Sequence, residues 1–136
     1  MAKESINQPS PLRVCTLLYN NLLTTSATLP VEMLRTAEAA DRAANPNNTR
    51  SIVATTLSID DQPITSPSGF AISPSATIDE IDRCDIISLP ALWRNPRPAL
   101  KKYRDYIPWL QHQVSEGATV IAVGTGVCFL AEAGLL

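Results

Sequence analysis

Residues 120–136 read VIAVGTGVCFLAEAGLL. Four apolar residues meet a Gly-Thr-Gly turn, and a helix-like run follows with Cys128 near its start. An apolar run, a tight turn and a helix form the repeating unit of a parallel α/β sheet. The turn has three readings: a phosphate-binding glycine loop, a cysteine nucleophile on a strand-to-helix elbow, or an elbow that keeps the fold without the chemistry.

Working outward, the same alternation recurs. Residues 85–89 (DIISL), closed by Pro90, and residues 12–19 (LRVCTLLY), closed by Asn20-Asn21, are apolar on both faces, as buried parallel strands are. Residues 51–59 (SIVATTLSI) form another β-rich run. Between them TLPVEMLRTAEAADRAAN carries apolar residues at helical spacing, with Thr28 as the expected N-cap and Pro30 in the first turn. Residues 64–73 (ITSPSGFAIS), broken at Pro67-Ser68-Gly69, predict a small hairpin, which its prolines confine to an edge. Residues 78–83 predict a short acidic helix, and 91–99 a loop. Leu100, Tyr103, Ile107, Leu110 and Val114 share one helical face that ends at Gly117, with Pro108 marking a start or a kink. The expected fold is a doubly wound α/β domain: a mainly parallel sheet with helices on both faces, flavodoxin-like and three-layered, plus an edge hairpin. It occupies residues 12–136 after a disordered tail at 1–11. With one helix after its fourth strand, the chain has the pattern of a C-terminally shortened domain.

Composition sets the bounds. At 136 residues, with 45% hydrophobic and 18% charged residues, the chain is long enough for one core without metal or disulfides. A net charge of −2 suggests neither a nucleic-acid nor a membrane partner. No apolar run is long enough to span a bilayer, and the polar start MAKESINQPSP lacks a signal-peptide core. Cys15, Cys84 and Cys128 are odd in number and form no CxxC, which reads as three unpaired thiols in a reducing cytoplasm.

The glycine turn fails both phosphate tests. A dinucleotide fingerprint wants a third glycine where Phe129 stands, and an acidic residue about 20 positions on. A P-loop wants a lysine, and none follows Lys102. We therefore expect no cofactor. In the elbow reading, the nucleophile position directly after the strand falls on Gly124, which has no side chain. Cys128 lies about one helical turn later, flanked by Val127 and Phe129-Leu130, and is expected to pack against the sheet as a small hydrophobe. The sole histidine, His112, sits mid-helix with no motif to place it beside Cys128 and no companion to make a metal site.

On these residues the chain resembles the ThiJ/PfpI group of class I glutamine amidotransferase-like domains, and more closely the amidase-like domain of GlxA-type regulators of the AraC family. GTGVCFLAEAGLL resembles their elbow, which typically reads Cys-Thr-Gly, apolar residues, then LAxAGLL. RVCTLLYNNLLTTSATLPVEML is similar to their first strand, turn and Pro-x-Glu helix start; PITSPSGFAISP to their hairpin; DIISLPALW to the end of their fourth strand. The resemblance spans residues 12–136. It implies a cysteine at position 124, an acid four residues before the helix proline and a Pro-Gly-Gly that offers oxyanion N–H groups. Here those places hold Gly124, Ser26 and Pro90-Ala91-Leu92. The resemblance thus implies a non-catalytic, ligand-sensing or dimerising domain of a transcriptional regulator. The expected pocket is Ser26, Pro90, Ala91, Gly124 and Thr125. The implied partners are an unknown small-molecule effector and a second copy, with DNA bound only through a helix-turn-helix region absent from this chain. The rival is a hydrolase or amidotransferase-like enzyme using Cys128, and a third reading is an oligomerisation domain alone.

Two charged stretches complete the survey. Arg94, Arg97, Lys101, Lys102 and Arg104 are interleaved with Trp93, Tyr103, Tyr106 and Trp109; they read as a solvated loop and helix start, with an anion or nucleic-acid contact or a dimer anchor as alternatives. Asp79, Glu80, Asp82 and Asp85 lack the glycine and terminal glutamate of a calcium loop and read as a solvated face.

Overall fold

A computed structural model describes residues 9–136; residues 1–8 of the expected tail lie outside the described residues. Strands β1 (Leu12–Leu17), β2 (Ile52–Ser58), β5 (Ala76–Thr77), β6 (Ile86–Leu89) and β7 (Thr119–Ala122) make one parallel sheet in the order β5-β2-β1-β6-β7. Strands β3 (Ile64–Thr65) and β4 (Ala71–Ile72) form a separate antiparallel hairpin. The helices are α1 (Thr24–Ala44), α2 (Arg97–Lys102), α3 (Tyr106–Ser115) and α4 (Val127–Glu132). This is the expected doubly wound α/β arrangement.

Strand alternation divides the core. Thr16 and Leu18 point toward α1, while Cys15, Leu17 and Tyr19 point to the opposite face, where Tyr106, Leu110 and Phe129 from α3 and α4 are buried. Tyr19 stacks on Phe129 with centroids 4.8 Å apart, and Tyr103 stacks on Tyr106 at 5.6 Å. Aromatic pairs at these spacings contribute roughly 0.5–1.5 kcal/mol each beyond their burial.

The structure corrects several expectations. Helix α1 begins at Thr24, so Pro30 is inside it and Thr28 is not its cap. The extra turn is set by tertiary hydrogen bonds to the end of β6, described below, and no local signal announces it. Helix α2 spans Arg97–Lys102, so it takes in residues 97–99, expected as loop, with Pro98 tolerated in its first turn. Pro108 likewise sits in the first turn of α3, so that helix starts at Tyr106 without a kink. The acidic stretch yields only a 3-10 turn at Ile78–Glu80, after the short strand β5.

The cysteines are corrected too. Cys15 and Cys84 form a disulfide, with Cα atoms 6.2 Å apart, leaving Cys128 free. Sixty-nine positions separate the pair, so no sequence spacing reveals it. Two of the three thiols expected to be unpaired are thus joined, and the cysteines no longer point to a reducing compartment. No helix among the described residues is long and apolar enough to cross a membrane.

Helix α1 also guards the outer edge of β2. Ile52 N–H donates to Glu38 Oε1 at 3.2 Å, and Arg35 Nη1 donates to Ile52 C=O at 2.7 Å. Farther along the same edge, Ser75 N–H donates to Thr56 C=O at 2.8 Å. α1 side chains at Ile52 and the Ser75 segment at Thr56 thus cover part of this edge against pairing with a foreign strand. The Arg35 hydrogen bond, with that of Ile52 N–H behind it, holds the Glu38 carboxyl below its ordinary range.

Candidate functional site

The site lies at the carboxyl ends of β1, β6 and β7, where ligands bind in open α/β sheets. β6 ends at Leu89, and the chain continues through Pro90 to Trp93 along this edge. Asn21 takes a positive φ of 66°, which Asn tolerates, and turns the chain back beside it. Leu22 and Leu92 then form an isolated antiparallel bridge: Leu23 N–H donates to Ala91 C=O and Trp93 N–H to Asn21 C=O, each at 2.8 Å.

Three hydroxyls take further polar groups of this segment. Ser26 Oγ, in the first turn of α1, accepts from Ala91 N–H at 2.9 Å and donates to Leu23 C=O at 2.7 Å. Thr125 Oγ1 accepts from Leu92 N–H at 2.7 Å and donates to Leu92 C=O at 3.0 Å. The buried Tyr19 hydroxyl donates to Pro90 C=O. Ala91, Leu92 and Trp93 therefore all have their N–H groups bonded within the chain, where an oxyanion site would hold such donors free.

The elbow keeps its shape. Gly124 follows β7 with a φ of 51° and stands exposed at the tip. A Cβ there would lie 3.4 Å from Ala91 Cβ, ordinary contact, so the seat of a side chain is open but strained. Gly126 differs: a Cβ would meet the Leu89 and Pro90 carbonyl oxygens, the latter at 2.7 Å, so only glycine lets α4 start this close to β6. The structure thus brings Ser26, Pro90, Ala91, Gly124 and Thr125 together in one seam.

Electrostatics keep the floor of the seam neutral. Burial pushes the Tyr19 hydroxyl well above its ordinary value, with Tyr106 adding to the rise. Burial does the same to Tyr106, whose hydroxyl donates to Leu18 C=O. Cys128 is half-buried at the second position of α4, while Phe129 and Leu130 take the core places. His112 is exposed on α3, and among the described residues no hydrogen bond joins its side chain to Cys128. Nor do the described residues hold a cluster of three metal-ligating side chains. The five cations of 94–104 are all exposed, whereas Tyr103 and Tyr106 are buried, so the interleaving splits into a solvated and a packed face.

One feature was not legible in sequence. A groove of about 270 Å3 opens between α1 and the β2 edge, lined by Leu18, Ala27, Val31, Ala54 and Ile72 among others. Its walls come from residues that only the α1–β2 packing brings together.

With this geometry in hand, the fold is that of the ThiJ/PfpI and DJ-1 superfamily structures. The chain is similar to a candidate transcriptional regulator of Vibrio parahaemolyticus, with 24% identity, a TM-score of 0.76 and coverage of 93% of this chain and 63% of that one. An AraC family transcriptional regulator of Pseudomonas putida matches with 23% identity and a TM-score of 0.71, covering 91% and 71%. A ThiJ/PfpI family protein of Pseudomonas syringae matches with 16% identity and a TM-score of 0.75, covering 100% and 52%. The chain thus spans 63% and 52% of the length of the Vibrio and syringae proteins. No family model matches the sequence, and no curated protein does.

Proposed function

We propose that this chain is a non-catalytic regulatory domain that senses a small molecule for a transcriptional regulator of the AraC type. One observation carries the reading: the elbow has glycine at the nucleophile seat while Ser26 and Thr125 occupy the amides that an acyl-transfer site would need free. The fold shared with two regulators supports it.

In this reading the seam of Ser26, Pro90, Ala91, Gly124 and Thr125 is the two-state element. An effector presenting a carbonyl or carboxylate oxygen exchanges with a hydroxyl at Ala91 or Leu92 N–H and so biases the placement of α1 against β6. DNA contact belongs to a separate helix-turn-helix unit. The test is hydrolysis of activated acyl esters by the wild type and by Cys128→Ser. The reading expects no turnover above buffer in either; turnover lost in Cys128→Ser overturns it in favour of an enzyme.

A second role, dimerisation, is favoured by α1. Of its 21 residues only Ala27 is buried, and Leu29 and Met33, one turn apart, are 47% and 64% exposed. We infer that this stripe meets a second copy. Light scattering of Leu29→Glu with Met33→Glu against wild type decides it: a dimer that becomes a monomer supports the stripe, and an unchanged mass rejects it.

A further inference from the structure

The basic segment after β6 borders a small cavity that the proposed function makes no use of. It measures about 90 Å3 and is lined from two sides, by the turn after β1 and by the stretch that leads into α2. That is room for about three water molecules at liquid density, or for one small head group. Leu92 forms part of its wall, so the cavity meets the seam there, but Ser26, Gly124 and Thr125 do not line it.

The polar side chains of this cavity are donors whose acceptors are already spent. Asn20 Oδ1 accepts from Thr65 N–H at 3.3 Å, and Asn95 Oδ1 accepts from Arg97 N–H at 3.1 Å. Those bonds fix which end of each amide is oxygen. Both Nδ2 groups are left without an acceptor among the described residues. The Tyr103 hydroxyl accepts from Asn20 N–H at 3.0 Å and donates to no group among the described residues. Lys102 forms no ion pair among them either. Its Nζ stands 5.3 Å from the centroid of the Tyr103 ring, which keeps the ammonium beside a wall of the cavity.

The surrounding charge has the same sign. Residues 94–105 carry Arg94, Arg97, Lys101, Lys102 and Arg104 against one acid, Asp105. Asp105 lines the neighbouring groove with Lys101 and Arg104, and no Asp or Glu lines this cavity. An ammonium and two free amide donors, with no carboxylate, suit a ligand that only accepts hydrogen bonds. One lysine matches one negative charge. The remaining wall, Leu92, Pro98 and Ala99, is apolar and suits a short hydrocarbon.

We propose that this cavity is a binding site for small monocarboxylates. The carboxylate accepts from Lys102 Nζ and from the Asn20 and Asn95 amide nitrogens, and the alkyl part rests on Leu92 and Pro98. All three donors line one cavity of this size, so a single head group can meet them together. Lys102 supplies the charge and the amides the orientation. The proposal stands apart from the regulatory reading, since it requires neither DNA nor exchange at the seam.

The experiment titrates the full chain with propionate at physiological ionic strength, where a diffuse surface field is screened. Residue-resolved NMR follows the amide signals. Propionamide is the neutral probe of the same shape, and chloride and inorganic phosphate test for general anion binding. Propionate should shift the side-chain amide signals of Asn20 and Asn95 saturably. It should bind on the order of tenfold more tightly than propionamide, because hydrogen bonds to a charged group are the stronger ones. Lys102→Gln should erase that lead. Lys101→Gln removes the same charge one position away, outside the cavity, and should keep it. Both lysines are exposed, so neither change disturbs the core. Equal affinity for propionate and propionamide, or no saturable shift, would overturn the proposal. Equal losses in the two lysine variants, or the same shifts with chloride, would mean a diffuse cationic surface and would overturn it too. Phosphate binding more tightly than propionate at these amides would overturn the assignment to monocarboxylates.

Discussion

Thr125 Oγ1 takes both backbone hydrogen bonds of Leu92, accepting from its N–H at 2.7 Å and donating to its C=O at 3.0 Å. A single hydroxyl thus does what a neighbouring strand would do. On the other edge of the same segment, the chain around Leu22 supplies the partner strand. The fold keeps the place where chemistry is done in such sheets, and fills it with its own side chains.

The seam is expected to be cooperative. Thr125→Val leaves two buried backbone groups without partners, and Ser26→Ala leaves one; each should cost about 1–3 kcal/mol in urea unfolding. The two hydroxyls hold adjacent peptides, so the double variant should depart from additivity by about 0.5 kcal/mol or more. Strict additivity would mean that the seam is two unrelated contacts.

Gly126→Ala should be among the more damaging single-methyl additions in the chain. Its Cβ meets carbonyl oxygens of the backbone, which cannot rotate away as a side chain would. The expected cost is roughly 1–3 kcal/mol, read as a lower urea midpoint. Gly124→Ala meets only Ala91 Cβ at 3.4 Å and should cost only the strain of its positive φ, about 1 kcal/mol.

The tyrosine cluster predicts an alkaline limit to stability. Tyr19 and Tyr106 have hydroxyls raised above the ordinary value of 10.0. A raised acid binds its proton more tightly in the folded state, so its contribution is complete below 10.0 and is lost as pH rises beyond it. Melting temperature should fall steeply above that pH, with the phenolate absorbance of Tyr19 and Tyr106 appearing only as the protein unfolds. Tyr19→Phe with Tyr106→Phe should flatten the fall.

Much of the fold was legible because its main strands are buried on both faces. LRVCTLLY and DIISL can be little else than central parallel strands, and the hairpin announced itself through Pro67-Ser68-Gly69. What escaped was held by distant contacts. Strand β5 has two residues and exists because β2 offers an edge at Leu57 and Ser58. The first turn of α1 exists because Ser26 and Leu23 are bonded to Ala91, 65 and 68 positions on. The disulfide joins residues that no local pattern relates. At the site, the sequence placed glycine at the nucleophile position, but not the two hydroxyls on the amides, since that depends on side-chain direction across three elements.

The central claim, that the amides at the end of β6 are occupied by the protein's own hydroxyls, is tested most directly by hydrogen exchange resolved at single residues. Ala91 and Leu92 N–H should be as slow to exchange as the β6 amides of Ser88 and Leu89. Ser26→Ala should release Ala91 selectively, and Thr125→Val should release Leu92. Ala91 and Leu92 exchanging in the wild type at the rate of an unprotected chain would show those donors to be free, and would contradict the account.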